Sequence, residues 1–475
     1  MNLIKVASGI LFPLITFPYT SRVLGPIGVG KLNFATSFVS NFILLASIGI
    51  PLYGIREVAK VRHNTEALIK LTRELIILHG IATLFTYLSF LSVLEIVSKL
   101  NAETALFLIV SFSIPLSVLT LDWLFQGLER YTFITIRSIL FSILSIASLF
   151  IFVKNEQDYY IAALIMIITS LGSSTINMWC SRSIVFSRTA GSLDLKRHIK
   201  PLTMVFGFSF ITNIYINLDT VVLGLLSSIQ SVGYYSTAMK LTKTMLALVV
   251  SFGGVLLPRL TWYIANDDRK EFDRLLKYSM AVVLLLCIPI TTAIMFLSKE
   301  IVFVFAGSQY IHSVNCLVIT SPIILFIGLT NIFGIQILYP LQREKKVLLS
   351  VGLGAIVSLS LNIILIPYFA QEGAAWSTLI AEISVLIIQI IFVKSYYKIH
   401  WPWNNISKYI FATAIMTTSF IITRILVPDD YLWLRLTIDI PLGISLYFTF
   451  LIVQKEEYTL DVLAKLKGRI SHGRV

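Results

Sequence analysis

Charged residues are scarce in this sequence, and their scarcity excludes an ordinary soluble protein. They make up 13% of the 475 residues, whereas a soluble chain carries about a quarter. Hydrophobic residues make up 56%, and the mean hydropathy is +0.85. The alternation of apolar and polar residues that a membrane β-barrel requires is also missing. Composition alone therefore predicts a helical membrane protein.

Several sequence signals for chemistry or processing are missing as well. The three cysteines, Cys180, Cys287 and Cys316, are far apart and have neither disulfide nor metal-ligand spacing. The chain has no G-x-x-x-x-G-K-S/T loop to bind a nucleotide. Its first apolar stretch has no small-residue cleavage site, so we expect it to be a retained helix. We expect no metal and no cofactor.

What the sequence does contain is a series of apolar runs of about 20 residues, the length that a helix needs to cross a bilayer. In lipid each backbone polar group must be satisfied within its own segment, so these runs should be helices. The predicted fold class is an all-α polytopic membrane protein with about fourteen transmembrane helices. The predicted spans are 4–24, 33–55, 75–97, 105–124, 135–153, 159–181, 202–225, 234–257, 278–305, 315–340, 350–369, 373–396, 407–427 and 432–453.

Lysine and arginine are distributed unequally between alternate loops, and this predicts the orientation. The loops on the side of the N-terminus contain roughly four times as many basic residues as the opposite loops. Both termini should therefore lie in the cytoplasm. The net charge of +13 is then a topology signal. Nucleic acid is not an expected partner, because no soluble basic face exists to bind it.

An internal repeat divides the chain, with a period of a little over two hundred residues. Val-Leu-Gly at 23–25 recurs at 222–224, and Val-Gly at 29–30 recurs at 232–233. Six spans per repeat give both halves the same orientation, as in the two halves of some secondary transporters. We predict a six-helix bundle at 1–200, a second at 201–396, and two extra helices with a cytoplasmic tail at 397–475.

Two long segments carry a resemblance to a known family. They are PLITFPYTSRVLGPIGVGKLNFATSF, followed by GIPLYGIREVAKVR, and LDWLFQGLERYTFITIRS, followed by FVKNEQDYYIAAL; LDTVVLG in the second half matches them. The chain thereby resembles bacterial polysaccharide repeat-unit flippases of the Wzx type. These belong to the polysaccharide transporter branch of the multidrug/oligosaccharidyl-lipid/polysaccharide exporter superfamily. The similarity covers nearly the whole chain.

The resemblance implies a function, a fold and partners. The function is transfer of an undecaprenyl-diphosphate-linked oligosaccharide from the inner to the outer leaflet, for O-antigen, capsule or exopolysaccharide synthesis. The fold is two six-helix bundles in a V, with two additional C-terminal helices. The partners are the lipid-linked oligosaccharide and membrane lipids, and the polysaccharide polymerase is a candidate partner.

Charges within the predicted spans are candidates for substrate binding, because each costs about 2.5–3.5 kcal/mol to insert. Lys240 and Lys243 share one face of the eighth span, about 9–14 Å from its external end. Asp219 lies at a similar depth on the seventh span, and Arg22 lies near the external end of the first. If the two halves are equivalent, these charges meet in the outer half of a cavity and attract a diphosphate. Alternatively, the lysines extend to the outer interface and Asp219 is their salt-bridge partner.

Other polar residues have weaker assignments. Arg56 offers a first phosphate contact on the cytoplasmic side, or it is only a topology signal. Asn213 and Asn217 meet sugar hydroxyls, or they form hydrogen bonds in helix packing. Glu382, midway through the twelfth span, is a candidate for proton coupling, or it is a neutral packing residue. Outside these candidates, we predict that Asp122 bonds to basic residues of the following loop and that His79 makes a satisfied polar contact.

Three rival functions remain open. A multidrug exporter of the same superfamily, coupled to a cation, predicts acidic residues in the cavity, whereas the paired lysines favour an anion. A lipid II flippase is the closest rival, and only the two long motifs argue against it. A membrane polymerase or glycosyltransferase needs a substantial catalytic loop, and no predicted external loop is large enough. We therefore expect a transporter and no enzyme.

Overall fold

The computed structural model describes residues 2–187 and 192–461. This part of the chain consists of helices and connecting turns and contains no β-strand. The predicted all-α class is confirmed. Residues 462–475 of the predicted cytoplasmic tail lie outside the described residues.

The chain packs as two compact units, Met1–Gly233 and Tyr234–Val475. The helices of the first unit are α1 (Asn2–Ser47), α2 (Ile50–Val61), α3 (Thr65–Ile96), α4 (Ser98–Asn101), α5 (Thr104–Ser111), α6 (Ser113–Leu119), α7 (Asp122–Gly127), α8 (Tyr131–Phe152), α9 (Tyr159–Val185) and α10 (Lys196–Leu226). Helix α11 (Ile229–Ala265) begins in the first unit and continues into the second. The seventh predicted span, in α10, packs with the first unit.

The first unit is organised around α1, which packs against α3, α8, α10 and α6. At Gly25 the backbone of α1 leaves the helical region, with φ of 64°. Glycine occupies this left-handed region at little cost, because it has no Cβ. The break falls at the predicted end of the first span, and so α1 contains most of the first two predicted spans.

The start of α11 approaches α1 very closely at two glycines. A Cβ on Gly30 would lie 2.0 Å from the carbonyl oxygen of Ile229, and a Cβ on Gly233 would lie 2.0 Å from that of Pro26. Backbone is therefore in contact with backbone at this point. Any larger residue at either position forces the two segments apart.

The remaining helices of the second unit are α12 (Arg269–Phe296), α13 (Ser298–Phe305), α14 (Ser313–Thr320), α15 (Ile323–Thr330), α16 (Glu344–Lys394), α17 (Trp403–Leu426) and α18 (Leu432–Val453). A π-helical segment, Asn331–Leu338, follows α15 and packs against α16. Helix α16 has a non-helical residue at Ala370, with φ of 46°. This break falls between the predicted spans 350–369 and 373–396.

The two C-terminal helices are part of the second unit. Helix α17 packs against α18 and α12, and α18 also packs against α13. An ionic cluster around the buried Glu300 joins these helices: Glu300 of α13 lies 3.6 Å from Arg435 of α18 and 3.5 Å from Arg424 of α17. Thr423 of α17 donates a 2.5 Å hydrogen bond to Asp439 of α18.

Ten helical stretches within the described residues are long and apolar enough to cross a membrane, and α10, counted as a bent pair, makes eleven. Two of these stretches, Leu14–Val61 and Glu344–Lys394, contain 48 and 51 residues, about twice the length of one crossing. The chain is therefore a multi-pass membrane protein. The number fourteen and the division at residues 200 and 396 stay predictions.

Candidate functional site

The predicted site residues lie on five helices. Arg22 is on α1, Arg56 on α2, Asn213, Asn217 and Asp219 on α10, Lys240 and Lys243 on α11, and Glu382 on α16. Arg22, Asp219, Lys240, Lys243 and Glu382 each interact with a neighbouring group. The first five residues in chain order belong to the first unit and the last three to the second.

Within the first unit, Arg22 and Asp219 lie on two helices that pack against each other, α1 and α10. Arg22 is exposed and lies three residues before the break at Gly25. Asp219 is buried, with 4% of its surface exposed. A carboxylate held in this way is costly without a compensating interaction.

Helix α10 bends by 54° between Asn213 and Tyr215. Asn217 donates a hydrogen bond of 3.2 Å to the side-chain oxygen of Asn213, one helical turn away. The two amides thus satisfy part of each other's hydrogen-bonding capacity along the helix. Each amide retains further donor or acceptor positions for another group.

Lys240 and Lys243 are both exposed, although the residues between them are buried. The exposed fraction is 6% for Leu241 and 0% for Thr242. Thr242 is also 3.0 Å from Thr320, hydroxyl to hydroxyl, which joins α11 to α14. The buried face of α11 is therefore turned toward its own unit. The lysines lie on the remaining face, one turn apart.

Glu382 is buried on α16, with 6% of its surface exposed. The side chains around it on the same helix, Thr378, Ala381 and Val385, are buried as well. Arg56 is in a contrasting position. Its side chain is 59% exposed, pairs with Glu57 at 3.2 Å and lies over the ring of Tyr53.

Residues 3–264 match the family described as polysaccharide biosynthesis protein. The chain belongs to this family. The resemblance to flippases of the Wzx type, within the exporter superfamily named above, is thereby confirmed. A candidate O-antigen transporter of Escherichia coli strain K12 is 27% identical over 399 residues, which cover 82% of this chain and 94% of that one.

Solved structures show the same fold. A lipid II flippase, MurJ, in an inward closed conformation superposes with a TM-score of 0.69 at 18% identity, covering 94% of this chain and 99% of that one. An inward-facing multidrug resistance transporter of the MATE family superposes with a TM-score of 0.63 at 12% identity, covering 81% and 93%. The polysaccharide biosynthesis protein thus shares its fold with these two transporters.

Two polar networks in this polysaccharide biosynthesis protein were not predicted as such. In the first, the fully buried carboxylate of Glu74 accepts hydrogen bonds from Arg197 and from the backbone of Asp194, and it contacts His198. His198 Nδ1 lies 2.8 Å from the hydroxyl of Tyr53, beside Arg56. The sequence signal for this network was Glu74 itself, a carboxylate placed directly before the predicted span 75–97.

The second network lies between α7, α8 and α9. Arg137 is buried and pairs with Asp122 at 2.7 Å, and Asn177 bonds to both residues. Asp122 bonds to a basic residue as predicted, but that residue, Arg137, lies within α8 and not in the loop after α7. The predicted polar contact of His79 is confirmed, since its Nε2 lies 3.2 Å from the hydroxyl of Ser117.

Proposed function

We propose that this chain transfers an undecaprenyl-diphosphate-linked oligosaccharide repeat unit from the inner to the outer leaflet of the bacterial cytoplasmic membrane, for surface polysaccharide synthesis. The observation that carries the proposal is the exposed pair Lys240 and Lys243, one turn apart on α11 and within a predicted membrane span. The family match and the transporter fold supply its context.

The chemistry of the pair fits a diphosphate. A lipid diphosphate carries its negative charge at the membrane interface, while its prenyl tail stays in the hydrocarbon. Two ammonium groups on one helix face attract such a head group as point charges. Asn213, Asn217 and Asp219 offer hydrogen-bonding groups of the kind that sugar hydroxyls need, and Arg22 and Arg56 are proposed as further phosphate contacts.

Glu382 is proposed as the coupling residue. A carboxyl group buried within a membrane span is costly and therefore marks a candidate site for binding and release of a proton during transport. The proposed orientation, with both termini in the cytoplasm, rests on the distribution of basic residues.

The proposal is tested by deleting the gene in its host. We expect loss of surface polysaccharide and accumulation of lipid-linked repeat units in the inner leaflet, both reversed by the wild-type gene. The matched control is rescue of a strain depleted of its lipid II flippase. Rescue of that strain, together with normal surface polysaccharide in the deletion strain, would assign the chain to lipid II.

A further inference from the structure

A pocket lies in the second unit, where the chain passes from α16 to α17. Its volume is 540 Å³, within the range of about 300–1,000 Å³ that small-ligand sites occupy. None of the residues proposed to bind the transported substrate lines it. The lining residues are Lys394, Tyr396, Tyr397, Lys398, Ile399 and Trp401.

The pocket is strongly basic. Lys394 and Lys398 are exposed, and neither ammonium group has an ion-pair or hydrogen-bond partner within the described residues. Two further cations lie beside them. The guanidinium of Arg343 is 4.7 Å from the ring centre of Tyr396, and the ammonium of Lys346 is 4.5 Å from that of Phe392. These cation–π contacts keep two additional positive charges close to the pocket wall.

The acidic group at the pocket is already engaged. Tyr397 donates a 2.8 Å hydrogen bond to the carboxylate of Asp273 on α12. The backbone amides of Tyr396 and Tyr397 both donate to the carbonyl of Val393, at the end of α16. The wall is therefore fixed by α12 and α16, and the two pocket lysines are left available to a ligand.

Tryptophan places the pocket at the level of the lipid head groups. The ring of Trp401 lies 5.9 Å from Phe333 and 6.0 Å from Trp403, and Trp403 is 70% exposed. Exposed tryptophans of membrane proteins concentrate at the boundary between hydrocarbon and water. Helix α17 begins at Trp403, two residues after Trp401, and no side chain caps its N-terminus. The positive end of the helix dipole is therefore close to Trp401 along the chain.

We propose that this pocket binds the phosphate head group of a membrane lipid, as a site separate from the transported substrate. Basic pockets between membrane helices on the cytoplasmic side bind anionic head groups in this way. The assignment to the cytoplasmic leaflet rests on the orientation proposed above. An anionic phospholipid and a prenyl phosphate both present this chemistry, and the test separates them.

The test measures lipid binding to the purified full-length chain by native mass spectrometry. The lipids are phosphatidylglycerol, undecaprenyl phosphate and phosphatidylcholine. The pocket variant is Lys394→Ala with Lys398→Ala. The matched control is Lys196→Ala with Lys200→Ala, which removes the same two charges from an exposed helix start in the first unit. A third variant, Lys394→Arg with Lys398→Arg, keeps the charge.

We expect the pocket Ala pair to bind at least one of the two phosphate lipids about tenfold more weakly than the wild type. The control pair and the Arg pair should bind like the wild type, and phosphatidylcholine should not discriminate among the variants. The phosphate lipid with the larger loss identifies the source. Unchanged affinity in the pocket Ala pair or an equal loss in the control pair would overturn the proposal. Because the readout is binding, it is independent of export.

Discussion

Nε2 of His198 lies 2.9 Å from the carboxylate of Glu74, and this contact ties the start of α10 to the first part of α3. Both side chains are buried, with exposed fractions of 3% and 0%. Arg197, the residue before His198, pairs with the same carboxylate. One glutamate therefore holds the beginning of a long helix that comes more than a hundred residues later.

Replacing this glutamate should destabilise the protein. Glu74→Gln puts an amide donor against Arg197 and His198, and we expect the free energy of unfolding to fall by about 2 kcal/mol. The value is below that of a fully buried pair because the Arg197 side chain is 45% exposed. The measurement is thermal unfolding in detergent. Glu57→Gln is the control, since its partners Arg56 and Lys60 are exposed; an equal shift in both variants would contradict the role of Glu74.

We expect Glu456, which joins α17 to the segment after α18, to make the stability of the protein dependent on pH. Burial alone would raise the pKa of its carboxyl, but hydrogen bonds from Thr459, Asn405 and Tyr409 outweigh burial and hold that pKa below its usual value. The folded state therefore favours the ionised form. The stability it contributes is present above about pH 4.3, the pKa of an unperturbed glutamate, and is lost as the pH falls through the lower folded value.

The measurement compares the wild type with Glu456→Gln across pH. We expect the wild type to be more stable at pH 7 and the difference to shrink below about pH 4. Asn405 and Tyr409 lie 2.5 Å and 3.1 Å from the carboxylate, so Asn405→Ala should give a smaller loss of the same sign. A stability difference that does not change as the pH falls would exclude ionisation as its cause.

The lysine pair on α11 should be needed for export. Lys240→Ala with Lys243→Ala is expected to abolish surface polysaccharide at normal protein level, because the anionic head group loses both charges. Lys240→Arg with Lys243→Arg should retain more polymer than the Ala pair. The control is Lys196→Ala with Lys200→Ala. A normal amount of surface polysaccharide in the Lys240/Lys243 Ala pair would contradict a role in substrate binding and would support the alternative that the lysines extend to the interface.

Glu382 is tested by energy coupling. Glu382→Gln should fold and bind the lipid substrate but lose transport driven by a pH gradient in proteoliposomes. Glu372→Gln, ten residues earlier on α16, is an isosteric control; its carboxylate accepts a 3.0 Å bond from Asn315. If the response of Glu382→Gln to an imposed gradient matches that of the wild type, the residue has only a packing role.

Orientation is tested by labelling single cysteines with an impermeant thiol reagent in intact cells. The cytoplasmic probe is placed at exposed Thr65, and the external probe at exposed Asn101. The neighbouring Asn64 is left unchanged because its side chain caps α3. The background needs Cys180→Ser, because Cys180 is exposed whereas Cys287 and Cys316 are buried. We expect labelling at position 101 only; labelling at position 65 alone would invert the topology.

The sequence located helices better than it located their ends. The run predicted at 75–97 is the apolar part of α3, which begins at Thr65. Hydropathy reports the thickness of the hydrocarbon, and a helix continues beyond it wherever its caps and packing allow. For the same reason the predicted loop after residue 24 is one glycine with positive φ, because a single left-handed residue is enough to redirect a helix.

A bond to a group nearby in the sequence was easier to predict than a bond to a distant one. Asp122 bonds to Arg137, 15 residues later, and the polar contact predicted for His79 is made with Ser117, 38 residues later, although the sequence did not identify Ser117. The bond of Glu74 to His198 spans 124 positions, and no periodicity indicates which of many basic residues a buried carboxylate will meet. The same limit applies to Asp219 and Glu382, whose burial the apolar runs suggested but whose neighbours depend on tertiary packing.

The close approach at Gly30 and Gly233 joins two segments that are far apart in the sequence. Each glycine leaves room for the backbone of the other segment, and both belong to the Val-Gly motif of the predicted repeat. A side chain added at one glycine would collide with main chain, and no change of side chain on the other segment can relieve such a collision. A compensating substitution across this contact is therefore not available.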